Sequence, residues 1–338
     1  MIVDFRSDTV TRPNAGMLEA MMKAKVGDDV FGDDPSINEL ERIAAEMFEM
    51  EAAIFCPSGT MTNQIAIKCH TSPGDEVICE TGSHIYQYEG GGIAFNSSAS
   101  VKLVNGDRGR ITANQVEEAI NPEAVYKANS SLVGLENTTN RGGGSCYDFE
   151  EIKKIKQVCK EHDLKLHLDG ARLFNALIAK GETTAQYGKV FDSISICLSK
   201  GLGAPVGSLL LGTQDFIKKA RRIRKVLGGG MRQAGYLAAA GIYALKNNIE
   251  RLQEDHDHAK QIAGLLGTKE FVGAILPVET NIIIFEVRDP YNPVSFVARM
   301  KEEGIWCYAI SPTQVRIVVH LDIDSKMIEK TLETINQL

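Results

Sequence analysis

Three short segments hold residues whose types and spacing could do chemistry. Ser58-Gly59-Thr60 directly follows the apolar run Ala52–Cys56 and opens a helical stretch. A helix start offers free backbone N–H groups and the positive end of a dipole, and the two hydroxyls add donors, so the segment suits a phosphate. Ser and Thr are also ordinary helix caps. Asp169-Gly170-Ala171-Arg172 follows Leu164–Leu168. Open parallel sheets bind ligands beyond the carboxyl ends of their strands, and Asp169 stands there. An acid in that place pairs with a protonated ring nitrogen, a metal or a sugar hydroxyl, or caps the next helix. Ser199-Lys200-Gly201-Leu202-Gly203 follows Ser193–Leu198. A lysine ending a buried strand is unusual, because burying an ammonium is costly, and desolvation makes the amine a usable nucleophile. Gly201 and Gly203 leave room for a flat ligand; the plainer alternative is a lysine that reaches out to water.

These segments explain one another. A phosphate cradle, an acid for a pyridinium nitrogen and an amine for an aldehyde are what pyridoxal 5'-phosphate asks of a protein. Other residues carry weaker signals. His84 precedes Tyr86 and Tyr88 and could stack on a ring or be a polar loop residue. Arg316 lies in the strand-like QVRIVV and could hold a carboxylate in a bidentate grip, or face water. Lys218–Lys225 carries six basic residues in eight and reads as a solvated last turn of a helix. His256 and His258 are two apart on a helix and do not face each other, so no metal is assigned.

The elements that must position these residues alternate. Ala52–Cys56, Glu76–Glu80, Val101–Val104, Ser131–Leu135, Leu164–Leu168, Ser193–Leu198 and Ser208–Leu211 are short runs rich in Val, Ile and Leu, as in a mostly parallel buried sheet. Between them, Asp148–His162 places Ile152, Ile155 and Cys159 at helical spacing, with Asp148 and Glu151 as a capping box. Phe216–Lys225 is a second helix and Met231–Leu252 a long Ala-rich one. This predicts a three-layer α/β domain. After about residue 268 the pattern changes to strands at Asn281–Val287, Trp306–Ile310 and Gln314–His320, with helices near Pro293–Glu303 and Ser325–Gln337. The expected organisation is an N-terminal segment 1–45 packing with the small unit and a dimer interface, a large cofactor domain 46–250, and a small α+β domain 251–338.

The 338 residues are 43% hydrophobic and 24% charged, as in an ordinary globular protein. Lys plus Arg is 37 and Asp plus Glu 44, a net charge of −7, which makes general nucleic-acid binding a poor reading. No apolar stretch approaches a membrane span, and MIVDFRSDTV lacks the apolar region of a secretory signal. Seven Cys form no C-x-x-C pair, so reduced thiols in the cytoplasm are expected, with no zinc site.

DFRSDTVTRP, VGDDVFGDDPSINELE, CPSGTMTNQIA, HLDGARLFNA, SICLSKGLGAPVGSLL and LGGGMRQAG resemble the low-specificity L-threonine aldolases, from about residue 3 to the C-terminus. The resemblance implies the fold-type-I, transferase-like architecture, pyridoxal phosphate, and cleavage of L-threonine and L-allo-threonine to glycine and acetaldehyde. It also implies a homotetramer built of catalytic dimers. By this resemblance Lys200 holds the cofactor aldehyde, Asp169 pairs with the ring nitrogen, and His84 stacks on the ring. Gly59 and Thr60, with Ser58, bind the phosphate. Ser7, Arg172 and Arg316 hold the substrate carboxylate, Arg172 also bordering the cofactor, and Glu89 orders a proton relay. The Gly228–Arg232 loop is expected to reach a neighbouring subunit's site. Tyr126 and Thr139 stand where the family commonly has histidines, and the Tyr126 position lies near the substrate hydroxyl. His84 is the expected proton carrier, since imidazole titrates nearest neutrality, and Tyr126 a lesser candidate. The alternatives are a pyridoxal-phosphate β-eliminating lyase, an aminotransferase, a cofactor binder without turnover, and a plain α/β interaction domain.

Overall fold

A computed structural model describes residues 1–338. The chain opens with a two-residue strand, β1 (Val3–Asp4), and two helices, α1 (Ala15–Met22) and α2 (Pro35–Phe48). Asp34 starts α2 by accepting from Ser36 N and Ile37 N, with Pro35 at the first helical position, where its missing N–H is harmless. Then come β2 (Ala52–Cys56), α3 (Gly59–His70), β3 (Glu76–Glu80), α4 (His84–Gln87), α5 (Gly92–Ser97), β4 (Ser100–Val104) and α6 (Ala113–Ala119). The middle of the chain adds β5 (Ser130–Glu136), α7 (Phe149–Glu161), β6 (Lys165–Gly170), α8 (Leu173–Lys180), α9 (Thr184–Val190), β7 (Ser193–Cys197), β8 (Ser208–Gly212), α10 (Gln214–Val226) and α11 (Gly235–Asn247). The last part holds α12 (Leu252–Leu266), β9 (Val272–Ile275), β10 (Ile282–Val287), α13 (Pro293–Glu302), β11 (Ile305–Trp306), β12 (Tyr308–Ala309), β13 (Gln314–Val318) and α14 (Ser325–Gln337).

Seven strands form one sheet in the order β2-β8-β7-β6-β5-β3-β4. Only β8 runs against its neighbours, so the carboxyl ends of β2, β7, β6, β5 and β3 share one edge. Helices on both faces make the three-layer α/β architecture that the alternation predicts. Strands such as Ser193–Cys197 are buried along their whole length, which explains their unbroken apolar character. The second sheet, β12-β13-β10-β9, is antiparallel, and β1 pairs with β11 beside it.

Two cores result. The larger holds Ile37, Leu40, Phe48, Val133, Leu168 and Ile196; the smaller holds Phe5, Phe285, Phe296, Ile317 and Ile328. The first 45 residues serve both, since Val3 and Phe5 enter the smaller core while α1 and α2 pack against α11 in the larger. The changeover at the other end falls inside α12, with Leu252 in one core and Ala259 in the other. No helix is long and apolar enough to cross a membrane.

Local differences from the sequence reading have physical causes. Met231–Leu252 is not one helix: α11 ends at Asn247, and the Asn248 side chain turns back to donate to Leu202 O. Glu151 does not complete a capping box on α7, because its carboxylate accepts instead from Ala113 N. The basic run on α10 is not simply solvated. Arg224 is buried, paired with Asp29 at 2.7 Å and donating to Phe55 O, and Arg221 pairs with Glu41.

Candidate active site

The edge where the strand ends meet gathers most of the singled-out residues. Asp169 is the next-to-last residue of β6, in register with Glu136 on β5 and Ser195 on β7. It is 3% exposed; one carboxylate oxygen accepts from Ala171 N, and the other receives no hydrogen bond from the protein. Arg172 rather than Asp169 occupies the cap position of α8, and makes no side-chain cap there. Asp169, His84 and Glu89 each bring one nitrogen or oxygen into a cluster spanning no more than 4.8 Å.

His84 opens the short helix α4 after β3 and is half-buried. Its backbone N–H donates to Glu136 and its Nδ1 faces Glu89 at 3.0 Å. Burial opposes the imidazolium, but the Glu89 bond and the nearby Asp169 and Glu136 charges outweigh it, so the proton affinity of His84 is raised. Glu136 is itself pushed up to about 7, first by burial and then by the charge of Asp169. Glu89 is buried and also accepts from Asn63 and Gln64.

Lys200 lies in the turn after β7 and is half-buried, its Nζ 3.8 Å from Cys197 Sγ. The turn is fixed by Gly203 N donating to Lys200 O, and Gly203 takes a left-handed φ of 77° that a side chain would strain. Cys197 in turn lies under the start of α3: a Cβ on Gly59 would stand 2.6 Å from its Sγ. Ser58 caps α3 through Met61 N, so that hydroxyl already has a partner, while the N–H groups of Gly59 and Thr60 have no acceptor in the protein.

The chain's beginning closes this edge. Asp8 is fully buried and takes a bidentate grip from Arg172, Nε and Nη2 each at 2.7 Å. Burial raises the Asp8 carboxyl, but Arg172 and then Lys200 overcome this and hold it down at about 2. Ser7 beside it accepts from Thr9. From the small sheet, Arg316 on β13 donates to Asn140 Oδ1 and to Arg6 O, and its buried Nε has no partner. Burial and the charge of Arg172 lower its proton affinity. Two guanidinium groups, one of them paired with Asp8, thus stand near enough at this recess for the charge of Arg172 to act on Arg316.

Tyr126 and Thr139 are not brought to this recess within the chain. Tyr126 is 82% exposed on the loop before β5, so the length of that strand separates it from the edge where Glu136 and Asp169 lie. Thr139 is buried, its hydroxyl engaged with Arg108 O and Ser145. In the Gly228–Arg232 loop, Arg232 is exposed and pairs with Asp28 at 2.8 Å. Asp8, Asn63, Gln64, Glu136 and His167 belong to the site's framework and carried no sequence signal, because each is partnered by residues far away in the chain or by backbone.

Pyridoxal phosphate fits these residues. Unpaired amides at a helix start suit its phosphate, the free carboxylate oxygen of Asp169 suits a ring N–H, and the Lys200 amine lies at the same edge. The absence of a Cβ at Gly59 leaves the approach between α3 and Cys197 open.

Comparisons with known proteins agree with the geometry. The sequence model of the beta-eliminating lyase family matches residues 4–290. The chain is 45% identical to the low specificity L-threonine aldolase of Escherichia coli K12, covering 97% of this chain and 96% of that one. It is 43% identical to low-specificity L-threonine aldolase 1 of Arabidopsis thaliana, over 99% and 96% of the two chains. A solved structure of Leishmania major threonine aldolase superposes with a TM-score of 0.86 at 23% identity, covering 99% of both, which establishes the fold.

Proposed function

Since the chain belongs to the low-specificity L-threonine aldolases within the beta-eliminating lyase family, we propose that it cleaves L-threonine and L-allo-threonine to glycine and acetaldehyde. The reaction breaks the Cα–Cβ bond, the β-hydroxyl loses its proton as the aldehyde forms, and Cα gains a proton. The bound cofactor supplies an aldehyde for the substrate amine and a protonated ring that takes up the electron pair of the broken bond. In our reading Lys200 would hold that aldehyde through its amine. Asp169 keeps the ring nitrogen protonated, and Ser58, Gly59 and Thr60 take the phosphate.

Arg172 and Arg316, with Ser7, orient the substrate through its carboxylate, and so decide which bond at Cα is broken. His84 presents Nε2 to the substrate and accepts the β-hydroxyl proton, with Glu89 behind it. The small unit and residues 4–11 close the edge and limit water. The observations that support this reading are the His84–Glu89–Asp169 cluster and a pair of guanidiniums, one from each unit, near enough to act on each other. Exposed Leu18, Met22, Phe31, Phe95 and Tyr236 support assembly into an oligomer, which we take to be a homotetramer of catalytic dimers in the cytoplasm.

The test is product analysis of the cofactor-loaded chain with both threonine diastereomers. Equal amounts of acetaldehyde and glycine are expected. Ammonia and a 2-oxo acid without acetaldehyde would assign β-elimination instead, and amino transfer to a keto acid would assign an aminotransferase.

A further inference from the structure

The face of α3 that packs on the large sheet is polar. Thr62 meets Ser195 at 2.6 Å, Asn63 Oδ1 meets His167 Nε2 at 3.1 Å, and His70 Nε2 meets Ser193 Oγ at 2.8 Å. His167 Nδ1 also meets that Ser193 hydroxyl at 2.8 Å. Asn63, His167 and Ser193 are at most 2% exposed. Burying this many polar groups is unfavourable unless each is paired in the right sense.

The sense of every bond follows from which atoms can donate. A carboxylate only accepts, so the Asn63 group facing Glu89 is its NH2. Its carbonyl oxygen then faces His167, whose Nε2 must carry a proton. Burial pushes His167 down to about 4, so the ring is neutral and its Nδ1 is a lone pair that accepts the Ser193 proton. A hydroxyl has one proton, so Ser193 accepts from His70 Nε2–H. His70 is likewise pushed down to about 3 by burial and carries no second proton. Four consecutive bonds therefore point from His70 through Ser193, His167 and Asn63 to one oxygen of Glu89. The other oxygen takes Gln64 Nε2 at 2.6 Å. The remaining partner of Glu89 is His84, which must donate from Nδ1.

We propose that this directed chain is a positioning device for the cleavage, in which His167, backed by Ser193 and His70, fixes the Asn63 amide, so that Glu89 holds His84 with its proton on Nδ1 and its lone pair on Nε2. The inference rests on the functional reading above only where it assigns His84 the β-hydroxyl proton. His167, more than one side chain removed from His84, touches no reacting atom. A carboxylate that selects an imidazole's tautomer is a known means of preparing it as a base. Without the His167 donor the buried Asn63 oxygen is left without a partner, so the amide is drawn out of place and its NH2 no longer fixes where the Glu89 carboxylate stands.

The test uses the full chain labelled with 15N-histidine, in which seven His give few signals. The cofactor-free wild type should show His84 as the Nδ1–H tautomer. His167→Phe should shift it toward Nε2–H, and His167→Gln, which restores a donor, should bring it back. Ser193→Ala is the milder variant and decides the matter if His167→Phe does not fold; it should move the tautomer in the same direction, by less. In the loaded enzyme His167→Phe should lower kcat about tenfold or more with KM for threonine nearly unchanged. The groups facing His84 are Glu89, Asp169 and Glu136, with the Tyr88 ring alongside. Weakening the Glu89 contact lowers the proton affinity of His84, so the acid limb of kcat/KM moves to lower pH. A folded His167→Phe or Ser193→Ala protein with the wild-type tautomer and an unmoved limb overturns the proposal. A wild type that cleaves neither diastereomer overturns the functional reading instead, and the tautomer measurement still decides the positioning device.

Discussion

Replacing Asp8 with asparagine hardly changes the size of the side chain, yet it is expected to cost the folded chain about 2–3 kcal/mol. Asp8 is fully buried and both its oxygens accept from Arg172. Its carboxyl is held at about 2 against an ordinary 3.8. At about 1.36 kcal/mol per decade, that depression corresponds to roughly 2–3 kcal/mol of stability. Asparagine keeps one acceptor and turns an NH2 toward a guanidinium that only donates. Asp8→Ala removes both acceptors and leaves Arg172 buried with its charge uncompensated, so its cost should rise to about 3–5 kcal/mol. Either loss is a large share of the ~5–15 kcal/mol that holds a typical domain folded.

The assay is urea unfolding of the cofactor-free full chain at one fixed protein concentration, because an oligomer's stability depends on it. A lower midpoint at unchanged slope is the expected signature. The pH dependence fixes the sign. A carboxyl with depressed proton affinity contributes fully above its ordinary value and loses that contribution as pH falls through its folded value. The gap between wild type and Asp8→Asn should therefore be flat between about pH 5 and 8 and close progressively from 3.8 toward about 2. A cost below about 1 kcal/mol, in the range of a surface pair, or a gap indifferent to acid, would refute the buried-pair reasoning.

Other substitutions probe other parts of the site. Lys200→Ala should abolish both the yellow colour of the cofactor-loaded protein and turnover; a coloured, active variant would move the aldehyde to another amine. Arg316→Ala should raise KM for threonine about tenfold to a hundredfold, the range of a charge-assisted bond, and Arg316→Lys should rescue it poorly. An unchanged KM would place the carboxylate elsewhere. Gly59→Ala sets a Cβ 2.6 Å from Cys197 Sγ, so cofactor affinity measured by fluorescence titration should fall about tenfold, with the melting temperature less affected. Glu136 is raised from 4.5 to about 7, so its favourable contribution is present below 4.5 and is lost as pH rises through 7. Glu136→Gln should therefore gain stability relative to wild type across that window, and a constant difference would contradict the shift.

What could be read in the sequence was local. Ala52–Cys56 and Glu76–Glu80 were legible to the residue, because a strand buried on both faces writes itself as an apolar run ended by a turn. Lys200, Asp169 and Gly59 were legible as candidates because each lies at or just beyond the end of such a strand, and strand ends are where open sheets bind ligands. The framework was not. Arg172 meets Asp8 from 164 positions away, and Asn63 meets His167 from 104, so no spacing rule brings them together. Glu151 matched a capping pattern, yet it caps nothing on its own helix because an amide from another element lies nearer in space. Tyr126 was placed near the substrate by likeness alone, whereas the chain's own geometry sets it across the length of β5.

The two units are joined where their charges are least comfortable. Arg172 comes from the junction of β6 and α8 in the large unit and Arg316 from the small sheet, and each disfavours the other where both are largely desolvated. Asp8 offsets one of the two charges, and the same stretch of chain secures its surroundings, with Arg6 O accepting from Arg316 and Thr11 donating to Lys200 O. One positive charge remains without an anionic partner, and Arg316 Nε is buried without any partner at all. A recess of this kind is less stable than it could be if its purpose were folding alone, since an apolar residue at 316 would remove the repulsion. In the function proposed above the imbalance serves binding, where an α-carboxylate would supply the missing charge at a fixed place and orient Cα. In that reading residues 4–11 belong to the site, because without Asp8 the buried Arg172 charge would stand beside Arg316 with nothing to balance it.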